Sequence, residues 1–291
     1  MCVTSEPASR HLVITADDFG ASSEVNEAVE RAHRDGILTA ASLMVSGDAA
    51  ADAVARARAM PGLGVGLHLV LVEGRPTLPP ERLPALVDRA TGRFRTDMAR
   101  SALRMFADPA ARAQLTDEVE AQFAAFAATG LALDHVNAHK HFHLHPTIAS
   151  AVLRVGKRYG MRAVRAPVED RAVLARVEPT APGGRVEHFT ARLLRRRLRR
   201  AGLVVPDRVF GLAWTGALDA ARLRGLIEQL PPGLTEIYTH PATGPYPRAA
   251  PGYHYADELA ALLDPIARKI LTQDGVACGH FRRFTPASIS S

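Results

Sequence analysis

The sequence predicts an α/β protein, a single (β/α) barrel of seven or eight parallel strands, closed or incomplete. Short apolar runs alternate with helical patterns along the chain, which favours parallel strands joined by crossovers. Carboxylates and histidines recur at the ends of those runs, where a barrel gathers its site. With 291 residues, 47% of them hydrophobic, residues 1–291 can bury one substantial core as one domain.

Strands are expected near 11–16, 38–45, 64–71, 133–138, 162–166, 206–211 and 234–239, with a weaker one near 275–278. The first run closes abruptly on Asp17-Asp18-Phe19-Gly20. A helix follows, with Val25, Ala28, Val29 and Ala32 on one face and Gly36 at its end. The third run carries His68 among apolar neighbours. Residues 110–129 read as a helix anchored by Val119, Phe123 and Phe126. The next run enters a cluster with five of the chain's twelve histidines within residues 135–145. Two insertions, 73–95 and 240–254, are rich in proline and read as candidate active-site loops, with plain surface connection the alternative for 73–95. Tyr246 and Tyr253 in the second suit stacking on sugar rings.

Paired acids at a strand end often just cap the following helix, and a lone histidine in an apolar run is often a satisfied core residue. Together they read differently. One Asp and two His from separate strands form a nitrogen and oxygen set that suits a divalent cation with open positions.

The motifs Ala16-Asp17-Asp18-Phe19-Gly20, Val65-Gly66-Leu67-His68-Leu69, His135-Val136-Asn137-Ala138-His139-Lys140-His141-Phe142-His143 and Glu236-Ile237-Tyr238-Thr239-His240-Pro241 occur in that order. They resemble the YdjC-like carbohydrate deacetylase family, the relatives of chitooligosaccharide deacetylases. The stretches Gly66–Pro76 and His139–Pro146 are most similar to the branch associated with hopanoid biosynthesis. One departure is Asn137, where many relatives carry aspartate.

The resemblance implies metal-dependent hydrolysis of an N-acetyl group from an amino sugar. Asp18, His68 and His139 would hold one divalent ion, zinc or magnesium foremost, with Asp17 as base and His240 as acid. Arg165 would pair with Asp17, a surface ion pair being the alternative. His141 and His143 would contact substrate or support the ligands, sharing a face if the strand continues past His139. Trp214 reads as a sugar platform or as core packing. The branch implies an N-acetylglucosaminyl hopanoid as substrate; a soluble chitooligosaccharide is the alternative, and association into a homo-oligomer stays open.

Net charge is +6. The basic segment 191–200 carries Leu193, Leu194 and Leu198 at near-helical spacing, reading as a solvated helix face or a membrane-surface contact. No aromatic residue interleaves it, so no nucleic-acid partner is expected. Cys2 and Cys278 make no disulfide framework. No basic and apolar leader or long apolar run is visible, so a cytoplasmic protein is expected, at most peripheral to the inner membrane.

Three rival readings arise, of which the first is rejected. Asp18-Phe19-Gly20 and His33-Arg34-Asp35 mimic kinase triplets, but in the wrong order and without a phosphate loop. Another metal hydrolase would use His139 and His141 as paired ligands. A non-catalytic sugar- or lipid-binding protein would keep only a structural metal.

Overall fold

The computed structural model describes residues 9–181, 185–273 and 275–284. Cys2 lies outside them. The strands are β1 (Arg10–Phe19), β2 (Ala40–Leu43), β3 (Gly64–Leu69), β4 (Val136–Ala138), β5 (Arg208–Phe210), β6 (Gly233–Thr239) and β7 (Ala277–Cys278). The helices are α1 (Ser23–Arg34), α2 (Ala50–Arg58), α3 (Met98–Ala107), α4 (Pro109–Ala128), α5 (Pro146–Arg158), α6 (Arg171–Val177), α7 (Arg185–Arg200), α8 (Ala220–Glu228), α9 (Tyr255–Leu262) and α10 (Pro265–Gln273).

All pairings between these strands are parallel, in the order β4-β3-β2-β1-β6-β5, with β7 also beside β1. Beyond β4 the expected strand at 162–166 is reduced to isolated parallel bridges, Val136 with Val164 and Ala163 with Val204. From Val204 the chain runs directly towards β5 at the opposite end of the sheet. The result is an incomplete (β/α) barrel.

Local sequence explains the framing helices. Ser22 caps α1 by accepting the Val25 N–H, and Val25, Ala28, Val29 and Ala32 are buried as the 3.6-residue period demands. Pro109 opens α4, which buries Val119, Phe123 and Phe126. The same helix buries Glu118 and Gln122. The Gln122 amide both accepts from and donates to the Val70 backbone, and Glu118 accepts the Thr77 and Leu78 N–H groups. These bonds fix the chain just past β3. The 73–95 stretch is therefore anchored, with Leu83, Leu86, Val87 and Phe94 buried.

Period-two alternation puts polar groups inside the barrel. Thr15 and Asp17 of β1, Ser42 of β2, His68 of β3, Asn137 of β4 and Glu236 and Tyr238 of β6 are all buried. Many of them bond across strands that are not neighbours, as when Ser42 meets His135 at 2.9 Å, so they face the interior. A small apolar cluster of Val13, Ala40, Ala163 and Phe281 fills the interior elsewhere. Cys278 is half-buried in β7 without a disulfide, and burial pushes its thiol up to about 11.

Gly66 makes room for this interior. A Cβ there would lie 2.5 Å from His135 Cε1. Gly66→Ala is expected to destabilise the fold by about 1–3 kcal/mol, read as a lower urea midpoint with unchanged slope.

Candidate metal centre

At the end of β1 the pairing with β2 slips between Ala16 and Phe19, and Asp18 adopts φ 63°. A bulge re-aims side chains, and Asp is among the residues that tolerate this left-handed region. Both carboxylates can thus serve one site from consecutive positions.

Asp18 Oδ1 lies 3.2 Å from His68 Nε2 and 3.1 Å from His139 Nδ1. Among the described residues these three form the one group able to hold a metal ion, with donor atoms within 4.8 Å of one another. His68 Nε2 is buried and makes no well-directed hydrogen bond. Burial acts against charging His68, but Asp17 and Asp18 outweigh it and raise its pKa, while the two imidazoles hold Asp18 well below the usual range. The site thus stabilises positive charge, and its two nitrogens and one oxygen fit a divalent cation.

Asp17 is held apart from this trio. Arg165, completely buried, donates to both Asp17 oxygens at 2.5 and 3.0 Å. Burial alone would raise the Asp17 pKa; Arg165, then His68, drive it far below its usual value. The surface-pair alternative for Arg165 is therefore corrected. Arg165 also donates to Glu236 Oε1 at 3.0 and 2.7 Å, and its guanidinium lies 4.5 Å from the Tyr238 ring centre.

Asn137 is the residue whose role the sequence obscured. Its Nδ2 donates to Asp17 Oδ1 at 2.9 Å and to Ser42 Oγ at 3.0 Å. Its Oδ1 lies 2.7 Å from His68 Nδ1. An amide donates and accepts at once, so it joins a carboxylate to an imidazole without adding charge.

The expected strand beyond His139 is not formed. β4 ends at Ala138, and His139–Leu144 is a 3-10 turn with Lys140 and His141 at φ 52° and 53°. His141 and His143 therefore do not share a strand face. His141 Nε2 meets the Tyr238 hydroxyl at 3.0 Å, which in turn meets Thr215. Burial, then the Arg165 charge, lower the His141 pKa strongly and keep its ring neutral. His143 donates Nε2–H to the Arg165 carbonyl at 2.8 Å, and burial lowers its pKa to about 4. The paired-ligand alternative for His139 and His141 finds no support in this arrangement.

His240 follows β6, its ring beside those of Tyr238 and Tyr253. Its backbone N–H is held by buried Glu258, and its Nδ1 is buried without a partner. Of the two readings of Trp214, core packing fits its surroundings: the residue is 3% exposed and packs in the core with the Arg222 guanidinium over its ring. A cleft of about 700 Å³ adjoins the centre, lined by Asp18 and His139 together with Glu73, Arg93, Tyr246 and Arg248.

The fold and site define an incomplete (β/α) barrel with a cation-competent centre at the carboxyl ends of its strands. The chain belongs to the YdjC-like protein family, whose model matches residues 11–273. A carbohydrate deacetylase of Geobacillus stearothermophilus is 31% identical over 94% of this chain and 98% of its own. The carbohydrate deacetylase of Mus musculus is 31% identical over 91% and 92%. With the Brevibacillus brevis carbohydrate deacetylase, identity is 40% over 51% of this chain, which spans about half of that relative (56%). An Enterococcus faecalis V583 structure described as a cellobiose-phosphate cleavage protein shares the fold, with TM-score 0.74 and 21% identity over 96% of this chain and 100% of the other.

Two outcomes are expected. Arg165→Met leaves Asp17 and Glu236 buried without their cation, which should cost about 3–5 kcal/mol by chemical denaturation. Burial raises the Glu169 pKa to about 7, against N–H donors from Gly211, Leu212 and Ala213. A raised folded pKa gives stability that is complete below the unfolded value near 4.5 and is lost as pH rises through about 7. Glu169→Gln should flatten that decline in a stability profile between pH 5 and 8.

Proposed function

We propose that the protein is a metal-dependent carbohydrate N-deacetylase. The observation that carries this reading is the division of the Asp pair: Asp18 faces His68 and His139, while Arg165 holds Asp17 ionised beside them. When bound, a divalent ion, zinc or magnesium, supplies a polarised acetyl carbonyl and a water of lowered pKa. Asp18, His68 and His139 would hold it.

Asp17 receives the proton of the attacking water. Its Oδ1 is occupied by Asn137 and Arg165, whereas Oδ2 meets only Arg165 Nη1, so Oδ2 is the accepting atom. Arg165 lowers the basicity of this carboxylate, so the proton is held only briefly and is readily passed on. His240 donates a proton to the departing amine. Tyr238 and Tyr253 bracket its ring. His141 supports the site through Tyr238, and His143 through the Arg165 carbonyl.

The substrate is an amino sugar, proposed as an N-acetylglucosaminyl hopanoid. Residues 73–95 and 240–254 would form its loops, since Glu73, Arg93 and Tyr246 line the cleft. Support for a lipid-linked substrate comes from α7. Leu194 and Leu198 pack inward, but Phe189 and Leu193 are exposed, and Arg196 and Arg200 follow them at helical spacing. Such a face suits peripheral contact with an anionic inner-membrane surface. No helix of the described residues is long and apolar enough to cross a membrane.

Acetate release from N-acetylglucosaminyl hopanoid and from diacetylchitobiose tests the reading. The metal-loaded protein should release acetate from the hopanoid, and chelation should abolish this. Asp18→Asn should reduce the rate by at least about 100-fold, since even outer partners of a metal site cost 10–100-fold. Release from diacetylchitobiose alone would move the substrate to soluble chitooligosaccharides. Tight sugar binding without acetate, whatever the metal, would favour a non-catalytic binding protein.

A further inference from the structure

Gly64, Gly66 and His68 alternate along β3 and so face the barrel interior together. A Cβ on Gly64 would lie 2.8 Å from Asp134 Cγ, and one on Gly66 would lie 2.5 Å from His135 Cε1. Two glycines thus clear a path for polar side chains directly below the metal-competent His68.

A continuous hydrogen-bonded chain occupies that path. His280 Nδ1 meets Asp134 Oδ1 at 2.7 Å, and the Phe281 and Arg282 N–H groups bind the same carboxylate. Asp134 Oδ2 meets His135 Nδ1 at 3.0 Å, and His135 Nε2 meets Ser42 Oγ at 2.9 Å. Ser42 receives Asn137 Nδ2 at 3.0 Å, and Asn137 Oδ1 reaches His68 Nδ1 at 2.7 Å. Asp134, His135, Ser42 and Asn137 are all buried.

Donor counting gives the chain a direction. Asp134 only accepts when ionised, so His135 carries its proton on Nδ1 and accepts from the Ser42 hydroxyl at Nε2. The Ser42 oxygen is then free to accept from Asn137. The amide must keep Nδ2 towards Ser42 and Asp17, which leaves Oδ1 to accept from His68 Nδ1–H. With Nδ1 committed to Asn137, Nε2 is the His68 nitrogen left to face a cation.

We propose that Asp134, His135 and Ser42 are positioning residues, a relay that locks the Asn137 amide and through it the His68 tautomer. This rests on the metal-centre reading above. Turning the amide over would set its oxygen against the ionised Asp17, and the relay blocks that turn from the other side. In this chain asparagine at 137 gives Asp17 Oδ1 a neutral N–H donor at 2.9 Å.

Zinc titration by calorimetry tests this without substrate, alongside melting of each metal-free protein. Wild type should bind one zinc ion; no binding would overturn the metal reading and the relay with it. Ser42→Ala and His135→Asn remove the link to Asn137, and His135→Asn retains an N–H near Asp134. Both should weaken zinc binding by about tenfold. His135→Gln places an acceptor near Ser42 but loses the Asp134 contact, so it should bind zinc nearly as wild type while melting lower. Unchanged affinity in Ser42→Ala and His135→Asn, or affinity that merely follows melting temperature across the three variants, would overturn the relay.

Discussion

The buried guanidinium of Arg165 is the constraint on which the rest of the site depends. It is fully enclosed and meets two carboxylates, Asp17 from β1 and Glu236 from β6. Thr15 completes the group by donating to Glu236 at 2.9 Å. Burying these charges carries a desolvation penalty, so the group persists only because nearly every strong donor has an acceptor. What the arrangement secures is geometric: adjacent strands β1 and β6 and the segment after β4 are tied at one level of the barrel. Asp17 is thereby kept ionised and oriented while Asp18, one residue on, turns to a different task.

The interior of the barrel follows from this choice. Apolar layers commonly fill such barrels, and here a small apolar cluster around Phe281 is joined by polar chains that converge on the centre. One chain runs through Glu236 and Arg165 to Asp17, and another through Asp134, His135 and Ser42 to Asn137. They meet where Asn137 touches Asp17. The outer helices then act on the loops: α4 fixes the chain after His68 through Gln122, and Glu258 of α9 fixes it at His240.

Much of this was legible in the sequence. Apolar runs that end in Asp17-Asp18, His68 and His139 gave away both the parallel sheet and the three residues that the fold brings together. Other features were hidden by physics that a linear pattern does not carry. The turn at Lys140 and His141 needs positive φ at two non-glycine residues, which contradicts local preference, so an extended strand was the natural expectation. Trp214 read as core packing more readily than as a platform, and its burial accords with that. Ser42, Glu236 and Asp134 gave weak signals individually, because a polar residue in a strand can face solvent as readily as a barrel interior. The pair Gly64 and Gly66, two residues apart beneath His68, was the clue available for the relay. It becomes readable only when their alternation is set against the bulk of His135.

The central claim, that these polar chains converge to hold one cation at Asp18, His68 and His139, is tested most directly by anomalous diffraction at the zinc edge from crystals of the zinc-loaded protein. The account predicts a single strong peak within bonding distance, about 2.0–2.2 Å, of an Asp18 oxygen, His68 Nε2 and a His139 ring nitrogen, with Asp17 still paired to Arg165. A peak at other residues, or one that recruits Asp17 away from Arg165, would contradict it.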